Sequence, residues 1–339
     1  MTAERSAPLI LTMGDPAGCG PQITAATWKL LREDPALAFA VAGPVGLYSD
    51  FCDTQAIRSL SEVGARFSTS LPVLDTGPSL TKISPGVPVE ASSNAIVASI
   101  ETAVELTRNG QASAIVTNPI NKALLYKAGF KFPGHTELLA DLCAVKDTPA
   151  PRPVMMLVGG GLRVALATIH MPLIEAARSL SPDMLGDIAR IVDTALKRDF
   201  GLDKPRIAFT GLNPHAGEDG ALGSEEIDII NPAAARLRAE GIDISDARSA
   251  DTVFAESLNG EYDAVIAMTH DQGLIPVKTL DFWGGVNTTL GLPIIRTSPD
   301  HGTAYEAARA GTCRPDSLIA AIKLAKQNSA HRAKQNAKT

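Results

Sequence analysis

No two cysteines in the chain are spaced CxxC; Cys19, Cys52, Cys143 and Cys313 are scattered along 339 residues. That scatter supplies neither a zinc knuckle nor a disulfide framework, and it suits reduced thiols in a cytoplasmic protein, the expected location. No apolar run is long enough to span a bilayer, and "APLILTM" ahead of Gly14 is too short for the core of a signal peptide. Positive charge is also in short supply. The 31 lysines and arginines against 37 acidic residues leave a net charge of −6, which argues against nucleic acid or an anionic membrane as partner and for a small molecule. The GxGxxG dinucleotide fingerprint is missing too: the loop after the first apolar run reads "GDPAGCGP" (14–21), so an ordinary Rossmann site fails there.

What is present is the composition of a globular protein, 45% hydrophobic and 20% charged, long enough for one large core or two domains. Short apolar runs predict strands: "PLILTM" (8–13), "AFAVAG" (38–43), "SAIVT" (113–117), "RVALATI" (163–169), "RIAFTGL" (206–212), "YDAVIAM" (262–268) and "LPIIRTS" (292–298). Helical patterns lie between them. "NAIVASIETAVELTRNG" repeats Ile96, Ile100 and Val104 every four residues and ends at Gly110, a suitable C-terminal cap. A second helix opens at Ser181 and Pro182 and carries Leu185, Ile188, Val192 and Ala195 on one face. Continuous apolar strands alternating with helices predict an α/β fold with a largely parallel sheet covered on both faces. The Pro-, Ser- and Gly-rich stretch from Ser70 to Asn94 is the longest expected loop.

The chain has only six histidines, and four of them, His170, His215, His270 and His301, fall just past the carboxyl end of an expected strand. That edge is where open α/β sheets bind ligands. Any one of these histidines alone suits a loop or core position, but three neutral imidazoles meeting at that edge would hold Zn²⁺ or a similar divalent ion. Lys278, Asn287 and Arg296 follow within a short segment and offer an ammonium, an amide and a guanidinium to an anion; Arg296 lies inside an apolar run, where an unpaired charge is costly. His135 and Thr136 in "FPGHTELLADL" open a helix, where backbone amides favour a phosphate or carboxylate. "DHGTAYEAARAG" sets His301 and Gly302 before a helix, a loop suited to an adenosine or a phosphate.

Four blocks carry a resemblance: "TMGDPAGCGP", "TNPINKALLYKAGFKFPGHTELLA", "GLNPHAGEDGALGSEEIDIINPA" and "YDAVIAMTHDQGLIPVKTLDFWGGVNTTLGLPIIRTSPDHGTAYEAA". Together, over about Leu9 to Ala325, the chain resembles the 4-hydroxythreonine-4-phosphate dehydrogenase family of vitamin B6 biosynthesis. More distantly, the first loop and "HGTA" are similar to the isocitrate and isopropylmalate dehydrogenases, which bind NAD or NADP without a Rossmann fingerprint. The resemblance implies two α/β/α domains with a cleft between them. The first is expected over 1–128 plus 285–339, with the dinucleotide-binding loop, and the second over 129–284, with metal ligands and a dimer interface. It implies a homodimer whose active site is shared between subunits, His170 and His215 coming from one chain and His270 from the other.

By motif, the resemblance implies His170, His215 and His270 as ligands of zinc, magnesium or cobalt, and His135, Thr136, Lys278, Asn287 and Arg296 as contacts to a small phosphorylated amino acid. The loop His301, Gly302, Thr303 and Ala304 corresponds to the dinucleotide-binding loop. Asp251 and Asp271 are both candidates for the catalytic base. The implied reaction is oxidation of 4-phosphooxy-L-threonine at C3, followed by loss of CO₂ from the β-keto acid. Alternatives are a dehydrogenase of a phosphorylated four-carbon sugar acid or of an aromatic cis-dihydrodiol, and, in other classes, a metal-dependent hydrolase, a phosphate acyltransferase or a non-catalytic binder. The chain departs from the family at Cys19 and Gln22, usually aliphatic and glutamate, and at Gly273, often alanine; none of these is expected to touch a named ligand.

Overall fold

The computed structural model describes residues 7–77, 80, 83–127, 135–145, 148 and 150–337. The strands are β1 (Leu9–Thr12), β2 (Phe39–Ala42), β3 (Thr54–Ile57), β4 (Leu71–Leu74), β5 (Ile115–Val116), β6 (Val154–Gly159), β7 (Leu162–Leu166), β8 (Ile207–Thr210), β9 (Ile244–Arg248), β10 (Ala264–Ala267), β11 (Val286–Leu290) and β12 (Arg296–Pro299). Two compact units divide them: Met1–Pro153 with Leu292–Ala330, and Val154–Gly291 with His331–Thr339. Residues 78, 79, 81 and 82 of the expected loop 70–94, and 132–134 of "FPGH", lie outside the described residues.

The first unit orders its strands β3-β4-β2-β1-β5-β12, every neighbouring pair parallel. Successive residues of a strand point to opposite faces, and all four of β1 and all four of β2 are buried, so both faces are covered. The helix Ser93–Arg108 packs on β1 and β2. Its Ser99 hydroxyl donates to the Ala42 carbonyl at 2.6 Å and accepts from the Met13 amide at 2.9 Å, which ties the helix to the carboxyl ends of both strands. Gly110 follows with φ +74, the left-handed conformation foreseen for a cap there.

The second unit orders its strands β11-β6-β7-β10-β8-β9. β7, β10, β8 and β9 are parallel neighbours, whereas β6 runs antiparallel to both β7 and β11. The cause is local: β6 and β7 form a hairpin turned by Gly160 and Gly161, both at positive φ, and a Cβ on Gly160 would lie 2.5 Å from Leu280 Cβ. The core gathers Leu157, Val164, Leu166, Val265, Ala267, Leu274 and Val277. Gly273 belongs to this packing, because a Cβ there would meet Leu166 Cδ2 at 2.5 Å, which accounts for glycine in place of alanine. The helix Pro182–Arg198 opens as expected, the Ser181 hydroxyl accepting from the Met184 amide at 3.2 Å.

That helix ends at Asp199, whose carboxylate takes two bonds from Arg332, at 2.7 and 2.8 Å, and two from Arg198, both at 2.9 Å. Its side chain is 6% exposed and that of Arg332 15%, so this pair is not a solvent-screened surface bridge. Burial works to raise the carboxyl, but the bonds from Arg332 and Arg198 outweigh it and hold the group below its ordinary value of 3.8. We expect Asp199→Ala to cost about 3–5 kcal/mol at neutral pH by stranding the guanidinium groups. A depressed carboxyl stabilises above its unfolded value and loses that effect as pH falls through the folded one, so the gap in urea midpoint between wild type and variant should close below about pH 4. An equal gap at pH 7 and pH 3 would rule out this account.

Candidate active site

In the second unit, β7 and β10 pair with Leu166 opposite Ala267. The loops that leave their carboxyl ends therefore start side by side, and the Thr168 hydroxyl joins them by donating to the Met268 carbonyl at 2.7 Å. His170 and His270 emerge with ring centroids 5.6 Å apart and planes tilted by 47°. His270 begins the helix His270–Leu280, and its Nδ1 lies 2.8 Å from Asp271 Oδ1. Gln272 fixes the start of that helix to the neighbouring strand end. Its Oε1 accepts from the Thr210 hydroxyl at 2.7 Å and the Met268 amide at 2.9 Å, while its Nε2 donates to the Gly211 carbonyl at 2.8 Å.

His215 follows β8 on a turn of unusual hand. His215, Ala216, Gly217, Glu218 and Asp219 all have φ between 43 and 81. The His215 Nδ1 lies 3.8 Å from Asp251 Oδ2. Asp251 itself accepts from the Ser249 hydroxyl at 2.6 Å, and this bond chiefly holds its carboxyl below the usual range. Both carboxylates proposed as bases thus stand against imidazole nitrogens. Among the described residues, no group of three histidine, cysteine, aspartate or glutamate side chains is placed to share a metal ion within the one chain. Lys278, on the same helix as His270, lies 6.0 Å from the Phe282 ring centre, and Asn287 sits on β11 opposite Leu157.

The first unit presents a second group of predicted residues. β1, β5 and β12 are neighbours, with Ile10 and Arg296 both opposite Ile115. Arg296 is buried, and its Nε and Nη2 reach Thr117 Oγ1 at 3.0 and 2.7 Å. Burial pulls the guanidinium down to about 10, so it stays charged at neutral pH. His135 and Thr136 open the helix His135–Leu142. The His135 Nε2 is fully buried with no hydrogen-bond partner, and burial, then the positive charges of Arg296 and Lys122, hold its imidazole well below its usual value. Two cations acting on a neutral imidazole whose Nε2 lacks a partner are chemistry that suits an anion. Lys122 was not singled out from the sequence, although it stands in the quoted block "TNPINK".

The loops after these strands pack on each other. The Cys19 amide donates to the Thr303 carbonyl at 2.8 Å, and a Cβ on Gly18 would meet that same oxygen at 2.8 Å. Buried Asp15 accepts from the Tyr305 hydroxyl at 2.5 Å, while Asn121 Nδ2 donates to that hydroxyl at 2.9 Å. Burial and then Asp15 push the phenol up to about 12, so it stays a donor. The loop His301–Ala304 is thereby fixed at its end, with Ala304 left-handed at φ 47 and His301 and Gly302 exposed. Here one expectation is corrected: Cys19 Sγ lies 3.9 Å from His301 Nδ1 and 3.6 Å from the Gly302 carbonyl, so this departure does touch the named loop. Gln22 instead donates to the Ala308 carbonyl at 2.7 Å, in the following helix.

Residues 34–325 match the family model described as pyridoxal phosphate biosynthetic protein PdxA. The 4-hydroxythreonine-4-phosphate dehydrogenase of Maricaulis maris is 51% identical over 94% of this chain and 96% of its own length. That of Caulobacter vibrioides is 49% identical over 96% of this chain and 99% of its own. The crystal structure of 4-hydroxythreonine-4-phosphate dehydrogenase from Klebsiella pneumoniae, 36% identical, matches with a TM-score of 0.82 over 96% of this chain and 100% of that one. A match of this length and identity shows that the chain belongs to the PdxA family of 4-hydroxythreonine-4-phosphate dehydrogenases, oxidoreductases of pyridoxal phosphate biosynthesis.

Proposed function

We propose that this chain oxidises the C3 hydroxyl of 4-phosphooxy-L-threonine with NAD or NADP, dependent on a divalent ion such as zinc, magnesium or cobalt. The product, 2-amino-3-oxo-4-phosphooxybutanoate, is a β-keto acid and loses CO₂ to give 3-amino-2-oxopropyl phosphate. The observation that carries this reading is the pair of imidazoles, His170 and His270, at adjoining strand ends. The donor set suits a divalent ion: His270 and His215 each turn Nδ1 toward a carboxylate, the arrangement that leaves Nε2 for a metal and orients the ring. When bound, such an ion supplies Lewis acidity toward a substrate oxygen. A bound NAD or NADP would supply the hydride acceptor, held by the loop His301–Ala304.

The chain's own residues do the rest. Arg296 and His135, with Lys122 near, hold the phosphate, and Lys278 and Asn287 take the remaining polar groups of the substrate. Asp271 and Asp251 orient His270 and His215, a role that fits their contacts better than proton abstraction does. The loop His301–Ala304 receives the dinucleotide. Large apolar side chains support a second copy of the chain as partner: Met171, Leu173 and Ile174 directly follow His170, and Ile275, Phe282 and Trp283 lie on or after the helix of His270, all exposed. We further propose that these homodimers work in the cytoplasm; among the described residues no helix is long and apolar enough to cross a membrane.

The test is NAD(P)H absorbance with purified protein and a divalent ion, 4-phosphooxy-L-threonine being set against threonate 4-phosphate and an aromatic cis-dihydrodiol. We expect turnover on the first substrate. A preference for either of the others would reassign the enzyme within its relatives, and no NAD(P)H from any of them would reject the dehydrogenase reading.

A further inference from the structure

We infer that Glu226 is a positioning residue that sets His215 through the left-handed turn His215–Asp219, an inference that rests on the assignment of His215 as a metal ligand. Left-handed backbone is disfavoured for residues other than glycine, least so for aspartate, asparagine and histidine, and it is adopted as single residues; here five in succession adopt it, Ala216 and Glu218 among them. Such a run persists only where its surroundings impose it. The surroundings here converge on one carboxylate. Glu226 is 2% exposed, its Oε1 accepts from the amides of Leu212 and Asn213, both at 2.8 Å, and its Oε2 accepts from Asn213 Nδ2 at 3.0 Å. These bonds hold the two residues that lead into the turn.

Three glycines leave room for this arrangement. A Cβ on Gly217, in the middle of the turn, would lie 2.7 Å from Glu226 Oε2. One on Gly211 would meet Ala216 Cα at 2.8 Å and Glu226 Oε1 at 3.1 Å, and one on Gly223 would meet Asn213 Nδ2 at 2.5 Å. Glu226 also opens the π-helical turn Glu226–Ile230, a distortion common beside functional sites. A loop that merely joined β8 to the next helix has no need of five left-handed residues packed around a buried acid. The distortion starts at His215 itself, so what it decides is where that imidazole stands relative to the end of β8.

The experiment is titration of metal-stripped full-length protein with Co²⁺, followed by the visible absorption of the bound ion, with circular dichroism as a check on folding. We expect Glu226→Ala to weaken Co²⁺ binding about 10–100-fold, the usual effect of losing a group that orients a ligand. Glu226→Gln, which keeps one acceptor oxygen, should fall between it and wild type. Gly217→Ala, which displaces the carboxylate without removing it, should weaken binding as well. In a His215→Ala background, Glu226→Ala should cause no further loss, because its effect passes through that ring. If His215→Ala weakens Co²⁺ binding while Glu226→Gln and Gly217→Ala bind as wild type, the inference is overturned and the metal assignment stands; should Glu226→Ala fail to fold, these two variants decide. If His215→Ala binds as tightly as wild type, the assignment of the ligand falls and the inference with it.

Discussion

A His215→Ala chain and a His270→Ala chain, each inactive alone, should recover about a quarter of wild-type turnover when co-refolded in equal amounts. In a two-fold dimer with shared sites, a mixed pair has one site that lacks both side chains and one that lacks neither. Random pairing makes half the dimers mixed. The geometry motivates the choice of residues: His170 and His270 lie together in one chain, His215 lies beside Asp251, and no three potential ligands meet among the described residues. His170→Ala with His270→Ala then separates two versions of the shared site. That mixture also recovers if His170 and His270 reach a given site from different chains, and stays inactive if they arrive together. Recovery by neither mixture, with mixed dimers confirmed by mass, would exclude sharing. The product to measure is NAD(P)H.

Arg296→Ala should raise the KM for phosphorylated substrate about 10–150-fold, equivalent to about 1.5–3 kcal/mol for a charge-assisted contact, and change that for NAD(P) by less than about threefold. The guanidinium is buried beside Thr117 and within the influence of the partnerless His135 Nε2, so the site loses a fixed cation that solvent cannot replace. Arg296→Lys keeps the charge and loses the planar fork, and should recover only part of the affinity. Comparable losses for both ligands, with a lowered melting temperature, would mean that the strand and not the phosphate contact had been damaged.

The strands that the sequence disclosed are those buried on both faces, since "LILT", "FAVA", "IAFT" and "AVIA" are nearly unbroken apolar runs. β3, "TQAI", β9, "ISDAR", and β11, "VNTTL", escaped because their polar residues hide the run, and β4, "LPVL", escaped because its proline sets a short run inside what reads as the loop 70–94, an expectation that the strand corrects. β6 escaped because its antiparallel hairpin depends on two glycines whose conformation composition does not reveal. The histidines were legible as strand-end residues because a strand and the residue after it are local in sequence. The acids that hold them were partly legible: Asp271 adjoins His270, and Asp251 was noted without its partner. Glu226 and the bond from Tyr305 to Asp15 were not, for they join positions separated by many residues and depend on a backbone hand that non-glycine sequences do not announce.

The split of the first unit has a consequence for synthesis on the ribosome. β12 pairs with β5, yet the whole of Val154–Gly291 is translated between them. At roughly 5–20 residues per second, the nascent chain carries β5 for about 10–40 s before the strand that covers its outer edge has been made. β5 is only two residues long, Ile115–Val116, so the open edge offers little template for an intruding strand. Arg296, the first residue of the late strand, arrives in the same event that closes the edge, so its bonds to Thr117 form only when the strands of the first unit are complete.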